Sequence, residues 1–245
     1  GLSAAHVSSI PFENLNVLLG QPIELEPEAL FDKLVRRRRG GYCFEQNGLF
    51  LEVLRAIGFE VAPMSARVRL QHPREHTPAR THVFLSVLVD GSPWLADVGV
   101  GAASLTSPLQ FNASQLGVEQ ATLHEPRRIV EEDGRGFHQI KYGTEWKDVY
   151  EYTSEVMPFI DRVVGNWYTS THPKSHFRDR FMVAKALPEG RRATILNREF
   201  TLRERTGQAT ATTIESSGIL LTLLRTQFGL SDLTEEDGAR LFAVV

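Results

Sequence analysis

The 245-residue chain has a net charge of −3 at pH 7, and 42% of its residues are hydrophobic. This length predicts two or three structural units that share contacts, and the charge gives no reason to expect nucleic acid or an anionic membrane as a partner. A single cysteine excludes an internal disulfide and favours a reducing compartment, so we expect a cytoplasmic protein. The sequence has neither an apolar run of membrane-spanning length nor a secretory signal pattern.

Residues 1–58 predict a helical first unit. Helical character appears at residues 2–10, at 28–35 and from Cys43 to a stop at Gly58. Because the chain opens at Gly1 without Met and enters helix-like sequence at once, we expect further helical sequence before it.

Glu13 lies in an apolar context, within the sequence I-P-F-E-N-L. It can be a surface acid. Alternatively it is buried, and then it needs a cationic partner, because a buried unpaired charge is costly. Arg39 is the candidate partner.

The stretch R-R-G-G-Y-C-F-E-Q-N holds the only cysteine, Cys43. Gly40 and Gly41 predict a tight turn, and the residues that follow have helical spacing, so Cys43 should lie in the first turn of a helix. The helix dipole and the free N–H groups of that turn favour an anion and lower the pKa of a thiol. A lone buried cysteine is, however, often a small apolar filler. A nucleophilic role requires a base and a group that orients the base.

Residues 59–157 predict a β-rich second unit. Strand patterns occur at residues 59–70, 81–100, 127–130, 137–142 and 146–152, and this density of antiparallel strands suggests a barrel or a sandwich. The polar segment 71–80 contains His72 and His76, whose spacing suits a metal site on a helix. Pro73 and Pro78 argue against a helix there, so we expect no metal.

The clearest hairpin turns at Asp90-Gly91, a strong two-residue turn signal. With that turn, His82 and Asp97 project from one face of adjacent strands as diagonal neighbours, close enough for an imidazole to reach a carboxylate. A three-residue turn would place them on opposite faces. As a separate alternative, Asp97 caps a turn and His82 is an ordinary strand residue.

Residues 158–190 turn helical and then irregular, which predicts an interdomain segment. Residues 191–245 predict a small α/β unit. It has a hairpin around Asn197-Arg198, an amphipathic helix at 213–228 and a short helix at 234–242.

Five motifs, in this order, resemble the arylamine N-acetyltransferase family: P-F-E-N-L, R-R-G-G-Y-C-F-E-Q-N, T-H-V-F-L-S-V, L-A-D-V-G-V-G and S-T-H-P-K-S-H-F. The resemblance spans nearly the whole chain. It implies a multi-domain α/β protein with a helical first domain, an antiparallel β-barrel second domain and a small α/β third domain that covers the site, built around a cysteine-protease-like core.

The same resemblance implies a catalytic triad of Cys43, His82 and Asp97. It implies acetyl transfer from acetyl-CoA to an arylamine, arylhydrazine or N-hydroxyarylamine by a ping-pong mechanism with an acetyl-cysteine intermediate, and a role in xenobiotic metabolism. It does not decide between a monomer and a homo-oligomer. The implied contacts are Thr81, Gly99 and Gly101 for CoA, and Phe12, Val68, Val100 and Phe177 for the acceptor.

Val100 departs from the family pattern, which often has an aromatic residue in D-V-G-F-G. A smaller side chain there predicts a wider acceptor pocket. The acyl chemistry does not depend on this position.

Two other functions stay open at this level. A cysteine-dependent hydrolase or amide synthase uses the same three groups and differs in the acyl acceptor. A non-enzymatic binding module would not need Cys43, His82 and Asp97 together.

Overall fold

The computed structural model describes residues 1–70 and 72–244. Within these residues the α-helices are α1 Leu2–Ser9, α2 Leu15–Leu18, α3 Pro27–Phe31, α4 Cys43–Ala56, α5 Phe159–Thr171, α6 Ser217–Thr226 and α7 Glu235–Ala243. The β-strands are β1 Phe12–Glu13, β2 Glu60–Val68, β3 His82–Val89, β4 Ser92–Ala96, β5 Leu109–Gln110, β6 Arg127–Glu132, β7 Arg135–Tyr142, β8 Glu145–Val156, β9 Met182–Ala186, β10 Arg192–Leu196, β11 Glu199–Arg203 and β12 Ala209–Thr213.

Helix α4 begins at the predicted glycine turn. The Glu45 carboxylate accepts the N–H of Tyr42 at 3.0 Å, which satisfies one of the unpaired donors of a helix start. A side chain at Gly40 would collide with the Pro11 carbonyl and with Glu13, so only glycine allows this close approach. The turn therefore holds the first residue of α4 in a fixed position.

Seven antiparallel strands form a nearly closed barrel in the order β5-β4-β3-β2-β8-β7-β6. Gln120 bridges the two edge strands, since it pairs with Arg127 of β6 and its side chain bonds Gln110 of β5 in both directions. Apolar side chains from all seven of these strands fill the interior, while α4 packs across the outer face of β2 and β3. The start of α4 thus lies against the strand that carries His82.

A second sheet has the order β1-β9-β10-β11-β12, and α6 and α7 pack on it over a separate apolar core. Its first strand comes from the N-terminal region of the chain. Asn14 secures this long-range pairing, because its amide donates to Phe177 O and Arg180 O and accepts the N–H of Met182. The loop that carries Phe177 is therefore tied to β1.

The strands predicted at 127–130, 137–142 and 146–152 and the hairpin around Asn197-Arg198 are confirmed. The helix predicted at 213–228 begins later, at Ser217, because residues 209–213 pair with β11 and the Ser216 hydroxyl caps the helix. The structure places β1 inside the predicted helical unit and β9 inside the predicted interdomain segment. The division of the chain into structural units at residues 58, 157 and 190 stays a prediction.

Candidate active site

Cys43 is the first residue of α4 and is almost fully buried, with 4% of its surface exposed. Its thiol donates to the Thr81 carbonyl oxygen at 3.6 Å. The position at a helix start agrees with the sequence prediction, and it puts the sulfur at the positive end of the helix dipole.

His82 and Asp97 meet across the hairpin of β3 and β4. Val89 pairs with Ser92, so the predicted two-residue turn is confirmed. The His82 Nε2 atom lies 2.7 Å from Asp97 Oδ2, and both side chains are buried. The Cys43 group also acts on the imidazole and helps to raise its pKa. Because Nε2 faces Asp97, Nδ1 is the ring nitrogen left for the sulfur.

Asn47 is a further member of the site that the sequence prediction missed. Its amide nitrogen donates to Asp97 Oδ1 at 2.8 Å and to Val83 O at 2.7 Å, and its oxygen accepts the N–H of Val98 at 3.0 Å. Asn47 follows Cys43 by one helical turn. A polar amide on the buried stripe of a helix is the sequence signal that could have identified it.

Gly99 completes the environment of the carboxylate. Its N–H donates to Asp97 Oδ1 at 2.9 Å. A β-carbon at Gly99 would lie 2.8 Å from Cys43 Cα and 2.7 Å from Asn47 Nδ2, so the hairpin end and the helix start pack backbone to backbone. Gly99, expected to contact CoA, therefore has a clear packing role as well.

Burial alone would lower the pKa of His82. The Asp97 carboxylate and the Cys43 group outweigh it and raise the pKa of this imidazole well above its ordinary value. The second buried histidine nearby, His138, behaves in the opposite way. Burial, Arg127 and His82 hold its pKa well below the ordinary value. The site therefore favours one charged imidazole next to the thiol.

One buried and one partly buried ion pair support the turn before Cys43. Arg39 lies 3.6 Å from Glu13 with both side chains buried, which confirms the buried-acid alternative for Glu13. Lys33 Nζ contacts Glu45 at 2.6 Å. Burial raises the pKa of Glu45, although Lys33 opposes this. Since removal of one partner from a buried pair is strongly destabilising, the Arg39–Glu13 pair in particular holds the turn in place.

The predicted acceptor residues divide between two regions. Phe12 and Phe177 pack in the same apolar cluster as Cys43, with ring centroids 6.4 Å apart. Gly101, predicted to lie near CoA, packs against the ring of Phe12. Val100 belongs instead to the barrel core, and Val68 pairs with Tyr150 at the end of β2. The structure thus brings Phe12 and Phe177 to the thiol and places the two valines on the barrel side.

A cavity of about 350 Å³ is lined by Thr81, the residue whose carbonyl oxygen contacts the Cys43 thiol, whereas Cys43 itself is not among the lining residues. The segment before β3, the end of β8 and one face of α5 form its walls. Its lining residues are Ser65, Ala79, Arg80, Thr81, Glu155, Val156, Met157, Asp161, Val164, Gly165 and Tyr168.

The rings of His72 and His76 stack with centroids 4.8 Å apart. Across residues 1–70 and 72–244, no group of three or more His, Cys, Asp or Glu side chains is arranged to hold a metal ion. In the same part of the chain, no helix has the length and apolar character needed to cross a membrane.

Comparison with known proteins shows which class of protein this fold and site define. Residues 1–236 match the family model described as N-acetyltransferase. The "Arylamine N-acetyltransferase / N-hydroxyarylamine O-acetyltransferase" of Salmonella typhimurium is 40% identical over 94% of this chain and 80% of its own length. The arylamine N-acetyltransferase of Mycolicibacterium smegmatis is 42% identical over 96% of this chain and 86% of its own length.

Solved structures agree with these sequence matches. The Salmonella typhimurium enzyme superposes with a TM-score of 0.93 at 38% identity, covering 100% of this chain and 90% of that chain. The Mycobacterium marinum enzyme, solved in complex with CoA, gives a TM-score of 0.93 at 35% identity, covering 99% and 90% respectively. The chain belongs to the arylamine N-acetyltransferase family.

Proposed function

We propose that this protein transfers an acetyl group from acetyl-CoA to an arylamine, arylhydrazine or N-hydroxyarylamine, through an acetyl-Cys43 intermediate. The observation that carries the proposal is the buried hydrogen bond between Asp97 and His82, next to the Cys43 group at the start of α4 that helps to raise the pKa of His82. The names of the relatives and the CoA complex of the Mycobacterium marinum enzyme support it.

In the first half-reaction, the Cys43 thiolate, whose proton is held by His82, attacks the thioester carbonyl. The N–H groups in the first turn of α4 stabilise the oxyanion. The Thr81 N–H is less suited to this role, because it donates to Ala79 O. When the tetrahedral intermediate collapses, the bond to the CoA sulfur breaks, and the imidazolium returns its proton to that sulfur.

In the second half-reaction, the amine attacks acetyl-Cys43 and His82 takes the amine proton. The bond between carbon and the Cys43 sulfur then breaks, which restores the thiolate–imidazolium pair. Asp97 holds the proton on Nε2, so that Nδ1 stays directed at the sulfur in both half-reactions. Asn47 and Gly99 hold Asp97 through its other oxygen.

Substrates reach the thiol through the cavity beside Thr81. Its volume of about 350 Å³ is at the lower end for small-molecule sites. We assign Thr81, Gly99 and Gly101 to the donor side of the site. The acceptor is assigned to the aromatic side chains of Phe12 and Phe177, with Val68 and Val100 on the barrel side of the site. A reducing cytoplasm suits this chemistry, because it keeps the lone thiol reactive.

A cysteine-dependent hydrolase or amide synthase remains the second candidate function, since it would use the same three groups. The discriminating property is the fate of the acyl-cysteine. A transferase excludes water from this intermediate and releases it to an amine, whereas a hydrolase passes it to water.

Mass spectrometry of the intact protein tests the proposal. After incubation with acetyl-CoA alone, we expect the mass to rise by one acetyl group, located on Cys43. Addition of an arylamine should return the protein to its original mass and yield the acetylated amine. Cys43→Ser should show no stable adduct and almost no turnover.

Near-full activity of folded Cys43→Ser would show that Cys43 is not the nucleophile. Rapid loss of the acetyl group without any amine would favour the hydrolase.

A further inference from the structure

The mouth of the cavity beside Thr81 carries one cation, Arg80. Its guanidinium is paired with Glu155 near the end of β8, and the two side chains are 36% and 58% exposed. Among the cavity-lining residues, Glu155 and Asp161 are the acids and Arg80 is the sole Lys or Arg. The other lining residues are apolar or neutral.

This distribution of charge affects how the acetyl donor, acetyl-CoA, can bind. Acetyl-CoA has its thioester at one end and its phosphates at the other. A cavity of about 350 Å³ is too small to enclose so large a molecule. When the thioester end reaches Cys43, the phosphates must lie at or outside the mouth. There two carboxylates repel them, and one guanidinium can bind them through parallel N–H donors.

We propose that Arg80 is a specificity-determining residue that binds a phosphate of the donor, and that Glu155 is the internal anion which the phosphate displaces. The proposal rests on the proposed function, because it assumes a CoA thioester as donor. An exposed ion pair contributes little to stability, so Arg80 can leave Glu155 at small cost. A phosphate carries more charge than a carboxylate and has more acceptor oxygens. Arg80 directly precedes Thr81, whose carbonyl contacts the thiol, so phosphate binding also places the donor near the reacting sulfur.

The test compares two donors with the same thioester, acetyl-CoA and acetyl-pantetheine, of which only the first carries phosphates. The measurement is the second-order rate of Cys43 acetylation by mass spectrometry on the full chain. Arg80→Gln should lower the rate with acetyl-CoA about tenfold, the size of one charge-assisted hydrogen bond. The rate with acetyl-pantetheine should stay within about twofold of the parent protein.

Glu155→Gln should have the opposite effect and raise the acetyl-CoA rate at low ionic strength, since it removes the competing carboxylate. Arg36→Gln is the matched control. Arg36 is also an exposed arginine paired with a glutamate, but on the π-helical turn at Asp32–Arg36, and this variant should leave both rates unchanged.

Equal losses with both donors in Arg80→Gln would assign Arg80 a structural role and overturn the proposal. An unchanged acetyl-CoA rate in that variant would also overturn it, because the phosphates would then bind elsewhere. If the parent protein were acetylated by neither donor, the proposed function would fall, and the role of Arg80 with it.

Discussion

Replacing Asp97 by asparagine should reverse the hydrogen-bond polarity of the proposed base. In the parent protein Asp97 Oδ1 accepts two donors, from Asn47 and Gly99, whereas Oδ2 accepts His82 Nε2. An asparagine amide has one oxygen and one NH₂ group. An NH₂ group at the Oδ1 position would face the N–H donors of both Asn47 and Gly99. At the Oδ2 position it would face the single N–H donor of His82.

The NH₂ group should therefore face His82, and Nε2 must then become an acceptor. The ring proton moves to Nδ1, the nitrogen directed at Cys43, which can no longer take the thiol proton. A corresponding exchange in a serine protease lowers kcat about 10⁴-fold. This factor is about 5.4 kcal/mol at about 1.36 kcal/mol per tenfold. We expect a loss of that order in the rate of Cys43 acetylation.

The assay is single-turnover acetylation followed by mass spectrometry, on protein whose Tm shows that it is folded. Asp90→Asn is the control, since it makes the same exchange at the tip of the same hairpin, where a positive φ of 49° suits asparagine. It should keep the parent rate. A folded Asp97→Asn protein that is acetylated within tenfold of the parent rate would refute the tautomer argument.

Three further variants or conditions probe the same region. Val100→Phe puts a ring into the barrel core, so it should lower the free energy of unfolding by about 1–3 kcal/mol. It should also shift the ratio of kcat/KM values several-fold toward a small amine over a bulky one. If this selectivity ratio did not change, Val100 would not belong to the acceptor pocket. Gly99→Ala should push the hairpin away from Cys43 and lower both Tm and the acetylation rate, whereas a neutral effect would contradict the close packing described above. His82 has its pKa raised to about 10, so its stabilising charge is complete below the unfolded value of about 6.5 and is lost as the pH rises toward the folded value. Between these two pH values, the unfolding free energy should accordingly fall more steeply with pH in the parent protein than in Asp97→Asn. Parallel curves for the two proteins would show that the His82–Asp97 pair does not cause the pH dependence.

The hairpin geometry could be predicted because it is local. The two-residue turn at Asp90-Gly91 sets the register, and the register alone decides which side chains share a face. The start of α4 could also be predicted from the sequence, since the glycine turn and the helical spacing lie next to each other. The buried acid at Glu13 followed from the cost of an unpaired charge.

The parts that were missed depend on contacts between distant segments. Asn47 bonds Asp97 across 50 residues of chain, so its position on the buried stripe of a helix indicates that it needs a polar partner but cannot say which one. Strand β1 pairs with β9, although its two residues carry no strand signal of their own. The late start of α6 has the same origin, because pairing with β11 holds residues 209–213 extended. Spacing likewise could not show that Val100 faces the barrel core.

The proposed base and nucleophile assemble at different levels of structure. His82 and Asp97 are 15 residues apart on one hairpin and can meet as soon as that hairpin forms. Cys43 lies 38 residues before Thr81 and reaches the imidazole only when α4 docks on β2 and β3. A newly synthesised or partly unfolded chain therefore carries an ordinary, weakly nucleophilic thiol. Folding therefore builds the proposed thiolate–imidazolium pair and buries Cys43 in one step, so a chain that has not finished folding carries neither the pair nor the buried sulfur.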